Sequence, residues 1–368
     1  MVEYRICEAG DAPWLRQLWQ LVFGDSDSFL DYYFANRFVP SHSVCTVVDG
    51  EIVGAIFGLP CAMNVRGVAV KASMSSGFCT HPDHRGKGYF SNLYALYLKV
   101  LRENAGVLAP NTPVYHDAYF RFETRTVSKS RYVSGICPPM LSKRCQLLDG
   151  DVYSGDLLAC YDRNITKYSA SIVRSYADFK LRIFDYFSDG AQVLGILEGG
   201  QVKAYAVFFE TDAKLLAVEF VADDEDLAKI LLWGLAGHAR GREFMVKMPP
   251  DYDVTISGLA EQIAPQGVCA LVNAPRLLEL VGGGLDIKCA IQDPIVPENN
   301  GTFNFSGETV QDAPDFETTS GYLLQALVGY ESFSVLHQNG HITCENPGIL
   351  PVLERKFQQK DCFVVEEY

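Results

Sequence analysis

His84-Arg85-Gly86-Lys87-Gly88-Tyr89-Phe90 is the stretch from which the fold can be read. The residues before it, Gly77 to Thr80, read as the end of a strand. Those after it, Tyr89 to Asn104, read as a helix with Leu93, Leu96, Tyr97, Val100 and Leu101 on one face and Gly106 at its end. A strand that feeds a helix through Arg-Gly-Lys-Gly points the amides of the turn and first helical turn at the strand's open end. Glycine lets phosphate oxygens approach those amides, the helix dipole favours negative charge, and Arg85 and Lys87 add attraction. A glycine-rich turn before a helix is common, so its setting must decide between a phosphate site and a plain turn.

The setting is ordered. Upstream, Asp11-Ala12-Pro13 reads as a capped helix start, and Trp14, Leu15, Leu18, Trp19 and Val22 follow at core-packing spacing. A hairpin comes next, Val44–Val48 and Ile52–Phe57 around Asp49-Gly50-Glu51, then strands near Val68–Met74 and Gly77–Thr80. Past the glycine turn and its helix, Val107-Leu108-Ala109 reads as a short strand. The same order returns: a hairpin at Val193–Leu197 and Val202–Phe209, a strand at Leu215–Val221, a helix at Leu227–Ala239 and a strand at Phe244–Met248. In this second copy the strand-to-helix junction is Asp223-Asp224-Glu225-Asp226, whose carboxylates repel phosphate and whose backbone lacks glycine. The second copy is therefore expected to be scaffold without cofactor. From about Cys269 the pattern changes to a small α+β segment, with a helix from Val272, a strand over Leu285–Ile291, a turn at Asn299-Asn300-Gly301, helical leucines at 323, 324 and 327, and a strand near Ile342.

Composition narrows the class. A chain of 368 residues, 48% hydrophobic and 21% charged, has the profile of a globular protein of two or three domains. No apolar run reaches the roughly 18 residues of a membrane span, and Met1–Ile6 lacks the pattern of a signal peptide, so a cytoplasmic location and no membrane partner are expected. A formal net charge of -14 argues against nucleic acid as a partner and is compatible with cationic substrates. The 11 cysteines form no Cys-x-x-Cys pair and read as reduced, buried thiols. His81 and His84 lack further ligands nearby, so no metal is expected.

In that setting, Arg85-Gly86-Lys87-Gly88-Tyr89-Phe90 resembles the cofactor signature of the GNAT superfamily of acetyltransferases, Arg/Gln-x-x-Gly-x-Gly/Ala, with Phe90 departing at the sixth position. An apolar residue there is a feature of the Eis-like (enhanced intracellular survival) branch. That branch also has the plan read here: an active GNAT domain, a GNAT-like domain without cofactor and a C-terminal domain similar to sterol carrier proteins. The resemblance implies an α/β (α+β) fold with tandem GNAT units, mixed central sheets flanked by helices, and domains at 1–145, 146–267 and 268–368. It implies acetyl-CoA as co-substrate, held by Phe78, Cys79, Thr80, Arg85, Gly86, Lys87, Gly88, Tyr89, Phe90 and Asn111. A small-molecule amine is the implied acceptor, and a homo-oligomer, trimeric or hexameric, the implied assembly. Tyr115 matches the place of the general acid that protonates the leaving thiolate. Ala118-Tyr119-Phe120 replaces the family's aromatic-Gly-aromatic step, which leaves Tyr119 as a rival.

In Eis-like enzymes the terminal carboxylate reaches the active site, which gives that role to Tyr368. The end of this chain, Cys362-Phe363-Val364-Val365-Glu366-Glu367-Tyr368, is apolar enough to pack, while Glu366 and Glu367 could serve instead or simply be solvated. The carboxylates nearest the cofactor turn, Asp83 and Asp117, flank loops without a clear partner. Two other functions stay open: acetylation of a peptide or protein amine, and non-catalytic lipid or ligand binding by the third domain.

Overall fold

The computed structural model describes residues 1–136, 142–254, 256 and 258–366. They gather into two compact units, one of residues 1–127 with 267–362, the other of 128–266 with the tail 363–366. The first stretch runs β1 (Val2–Ile6), α1 (Ala12–Phe23), α2 (Asp27–Asn36), β2 (Val44–Val48), β3 (Glu51–Val65), β4 (Val68–Thr80), α3 (Tyr89–Glu103), β5 (Leu108–Asn111), α4 (Asp117–Phe120) and β6 (Arg125–Thr126). The β2–β3 turn places Asp49 and Gly50 at φ 51° and 93°, the pair of positive values that a tight hairpin of matching twist requires. β4 is one long strand where the sequence suggested two. α1 buries Leu15, Leu18 and Trp19, but Trp14 is 63% exposed. Asp11 does not cap α1 with its side chain; it accepts the Glu8 amide and both ends of a fork from Arg5.

The second stretch supplies β7 (Lys129–Ile136), β8 (Gln146–Leu148), α5 (Ser154–Ile165), the short β9 (Ile172–Val173), α6 (Tyr176–Ser188), β10 (Gln192–Glu198), β11 (Gln201–Glu210), β12 (Lys214–Ala222), α7 (Glu225–Ala239), β13 (Glu243–Met248) and β14 (Ala260–Pro265). Seven of these strands form a sheet in the order β14-β7-β13-β12-β11-β10-β8. Apolar cores lie against α7 and against α5 with α6, and both are buried by alternating residues of β10, β11 and β12. Because β7 pairs with β13 and β14, the residues from Ser128 onward gather with the second unit.

The last stretch is β15 (Val268–Leu271), α8 (Ala274–Val281), β16 (Lys288–Gln292), β17 (Gly301–Asn304), β18 (Phe316–Thr319), α9 (Ser320–Val328), α10 (Phe333–Gln338), β19 (Ile342–Thr343) and α11 (Leu350–Lys356). β15 inserts between β5 and β6, giving the first unit's sheet the order β1-β2-β3-β4-β5-β15-β6. Its four residues, Val-Cys-Ala-Leu, are fully buried, which explains why this segment clusters with the first stretch. The remaining strands form a small sheet, β17-β16-β18-β19. The overall class is mixed α/β, as expected. Among the described residues no helix is long and apolar enough to cross a membrane, and the ten described cysteines are free thiols.

Candidate active site

The site begins with a bend in a strand. β3 and β4 pair in register until Ala55 faces Cys79 and Phe57 faces Ser76, so β4 carries one extra residue there. Gly77 takes it up at φ +56°, and a Cβ at this position would stand 2.6 Å from the Trp19 ring and 2.7 Å from Phe57. Only glycine fits, and the bulge bends its strand. On the other edge β4 runs parallel to β5, with Ala72 opposite Leu108 and Ser75 Oγ still 3.4 Å from the Pro110 carbonyl. Beyond Ser75 the strands part, and the gap is a cavity of about 320 Å³ lined by Gly77, Phe78, Asn111, Tyr115 and Tyr119, with Trp19, Phe23 and Asp25 from the end of α1.

At the end of β4 the chain turns through Arg85–Gly88 into α3. Gly86 and Gly88 have φ +74° and +79°, and no atom lies within 4 Å of where a Cβ would stand on either. Gly88 is the N-cap of α3 and offers no side chain to its first amides, so those donors stay available. Arg85 anchors the turn by donating from Nε to the Thr80 carbonyl at 3.2 Å. A second cavity of about 350 Å³ opens here, walled by Thr80, His84, Lys87, Tyr89, Phe90 and Arg121 among others. Free amides, two left-handed glycines and the cations Arg85, Lys87 and Arg121 suit a diphosphate.

The sequence-assigned residues divide between these cavities. Phe78 and Asn111 face the first, Thr80 through Phe90 the second. Cys79 faces neither: its side chain is buried in the core under α1, where burial pushes its thiol up to about 12. Any part it plays in binding is through its backbone. Asn111 is 3% exposed, and among the described residues its Nδ2, near the Tyr119 hydroxyl, makes no hydrogen bond of good geometry. That donor suits a carbonyl-bearing ligand such as the pantetheine or thioester of an acyl carrier.

Tyr115 and Tyr119 both line the first cavity but differ in setting. Tyr115 sits on the loop after β5 and is 78% exposed, whereas Tyr119 is buried among Phe78, Phe90 and Tyr94. Burial raises the Tyr119 hydroxyl above its ordinary range, and the neighbouring Asn111 amide opposes that rise. Tyr368 lies outside the described residues. Glu366 is not solvated: it is buried and paired with Arg174 in the second unit.

Two residues of this site escaped the sequence. Asp25 accepts Trp19 Nε1 at 2.7 Å and, among the described residues, is the carboxylate of the first cavity; the sequence pointed instead to Asp83 and Asp117 within this domain and to the chain end. Gly24, at φ 73°, ends α1 and folds Asp25 back onto the helix, so Phe23-Gly24-Asp25 was the signal. Arg121, stacked on Phe122 at 4.6 Å, was the other. Among the described residues one group, Cys7, Asp11 and Cys45, has ligand atoms close enough for a metal ion, but both Asp11 oxygens accept from Arg5 at 2.7 and 2.9 Å, and its guanidinium competes with any cation.

The bent fourth strand, the parted fifth and the glycine turn at a helix N-terminus occur together over residues 3–126, which match the family model described as Acetyltransferase (GNAT) domain. The chain carries a GNAT acetyltransferase domain. Residues 275–364 match a second model, Sterol carrier protein domain, so the GNAT domain is followed by the partner expected in the Eis-like plan. Among solved structures, the chain is similar over the full length of both proteins to Eis1 from Mycobacterium abscessus (16% identity, TM-score 0.75). It is similar, again over both full lengths, to a probable N-acyltransferase from Enterococcus faecalis V583 (14%, 0.82) and to a GCN5-related N-acetyltransferase from Anabaena variabilis (13%, 0.82). A comparison with curated proteins gives no match. At these identities the likeness is one of fold; the GNAT domain itself carries the acyl-CoA-using chemistry in general terms.

Proposed function

We propose that the chain transfers acetyl from acetyl-CoA to the primary amine of a small acceptor by direct attack. The observation that carries this is the pair of cavities along one bent strand, one basic and glycine-lined, the other aromatic and, among the described residues, bearing the Asp25 carboxylate. The diphosphate lies on Arg85–Phe90, and the thioester carbonyl takes the Asn111 Nδ2. The acceptor enters against Trp19, Phe23 and Tyr115, and Asp25 draws its ammonium form in. The free amine nitrogen attacks the carbonyl carbon, the C–S bond breaks, and Tyr115 gives its hydroxyl proton to the leaving thiolate. The proton that the ammonium sheds before attack passes through a water to a carboxylate, a role this reading gives to the end of the chain at Tyr368, and the proton that the new amide nitrogen loses restores the Tyr115 hydroxyl.

The test is a panel of amines with acetyl-CoA, run on the wild type, Tyr115→Phe and Tyr119→Phe. Tyr115→Phe is expected to lower kcat by roughly 100- to 10,000-fold with acetyl-CoA affinity unchanged. If Tyr119→Phe alone shows that loss, the acid is one helical turn further on. No turnover of any amine by the wild type overturns the reading.

A further inference from the structure

The second unit also has a bent strand and a parting pair, and something fills the gap. β12 and β13 run parallel from Lys214 opposite Glu243 to Ala217 opposite Val246, and beyond that point the pairing stops. Past the stop, β13 meets the tail directly and β12 holds it through Arg174. Lys247 of β13, fully buried, donates from Nζ to the Val365 carbonyl at 2.6 Å. Glu219 of β12, also fully buried, holds Arg174 through two parallel bonds of 2.9 Å, and Arg174 Nε donates to Glu366 at 2.9 Å. Phe363 and Val365 enter the core beside Val218 and Val221, Phe363 meets the Tyr168 ring at 5.7 Å, and its amide donates to the Ser169 carbonyl at 3.1 Å.

This arrangement has the parts of a peptide site: an apolar seat for Phe363 and Val365, a donor and an acceptor for the backbone, and a buried cation for one carboxylate. The guanidinium is prepared for that carboxylate independently of it. It lies 4.1 Å over the Tyr161 ring and is already fixed by Glu219. Burial alone would raise the Glu219 carboxyl; Arg174 and Tyr205 bring it below its ordinary range. The Glu366 Oε1 atom takes the guanidinium, while its buried Oε2 has no partner among the described residues. Apolar contacts alone do not fix the register of the tail, because Phe363, Val364 and Val365 are all buried and a slip of one residue would still bury apolar side chains. A single buried ion pair forbids that slip, the best-attested use of such pairs.

We propose that the second unit's parted strands form a binding site for an extended acidic peptide, with Arg174 as its carboxylate receptor, and that residues Phe363–Glu366 are its resident ligand in cis. The class of ligand is an aromatic residue followed at the third position by a carboxylate, as in Phe363-Val364-Val365-Glu366.

Gln358–Asp361, the exposed residues just ahead of the tail, give access for a test. A protease site inserted there allows the full chain to be cut after folding. The cut segment is expected to stay bound through size-exclusion chromatography and to exchange one-for-one with a fluorescent peptide of sequence 362–368, read by anisotropy. A competitor peptide bearing Glu366→Gln is expected to bind about 10- to 100-fold more weakly, the loss of one charge-assisted bond, while one bearing Glu367→Gln competes like the wild type. Equal competition by the two, or no binding by a cut chain that keeps its circular dichroism, overturns the proposal. If the cut chain unfolds, hydrogen exchange on the uncut chain decides. Glu366→Gln should speed exchange of residues 363–366 at least about tenfold relative to Glu367→Gln, and equal rates overturn it. Both readouts are independent of turnover, so they stand or fall apart from the proposed transfer reaction.

Discussion

The two units repeat one strand order, yet finish it in opposite ways. In the first, Gly88 stands at the head of α3 with no side chain to offer, and the helix amides face a basic cavity. In the second, Asp224 caps α7, its carboxylate accepting the Leu227 amide at 2.8 Å. Asp223 beside it is taken by Arg163, Asn164 and Lys203. The acidic junction therefore repels phosphate and also satisfies the donors that phosphate would need. Both fourth strands carry a bulge where they leave the fifth: Gly77 in the first, and in the second one extra residue, Val218, between the partners of Val207 and Phe208. The bend belongs to the fold, and what distinguishes a binding unit is that its donors are left unpaired. The second unit pairs such donors internally and, at its parted strands, seats a piece of its own chain.

The comparison can be broken first at the bend. Gly77→Ala is expected to destabilise the first unit by about 2 to 5 kcal/mol, the sum of a left-handed non-glycine residue and an overpacked contact with Trp19 and Phe57. Val218→Ala in the second unit removes methyl groups without a change of backbone conformation and is expected to cost less, about 1 to 2 kcal/mol. Denaturant unfolding of both variants checks the order; equal losses mean that the glycine bend is not special. A smaller effect is expected at the turn. Gly88→Glu puts a negative side chain where φ is +79° and is expected to weaken acyl-CoA binding about 100-fold, equivalent to losing one or two charge-assisted bonds. Gly88→Ala separates backbone strain from charge in the same calorimetric titration.

Much of this was legible in the sequence, for identifiable reasons. Gly86 and Gly88 flank a lysine between a strand and an amphipathic helix, and their left-handed conformations are what that spacing requires. The acidic second junction was equally plain. Tertiary placement was not. β15 is four buried residues with no local signal for inserting between β5 and β6, and β7 gave none for pairing in the second sheet. Trp19 read as core and is core, yet the other side of its ring walls a cavity, which helical periodicity cannot express. Glu366 read as a charge near a chain end, where solvation is the ordinary fate; its partner Arg174 is 192 residues away.

The smallest expected effect sharpens the comparison most. Asp224→Ala removes the cap of α7 and leaves the Leu227 amide without its acceptor, which is expected to cost about 1 kcal/mol and to lower Tm by roughly 2 to 4 °C. Asp224→Gly is expected to cost only a few tenths of a kcal/mol, because water then reaches the freed amides. Neither variant should gain acyl-CoA affinity. Freed donors are one requirement of the first junction; the others are a backbone that phosphate can approach on two left-handed glycines and a positive local field. Asp223, Glu225 and Asp226 remain to oppose an anion. Calorimetry on either variant should still give one acyl-CoA per chain. A stoichiometry of two for Asp224→Gly would mean that the cap alone silences the second unit, and that glycine and charge at the first junction refine a site that the fold already makes.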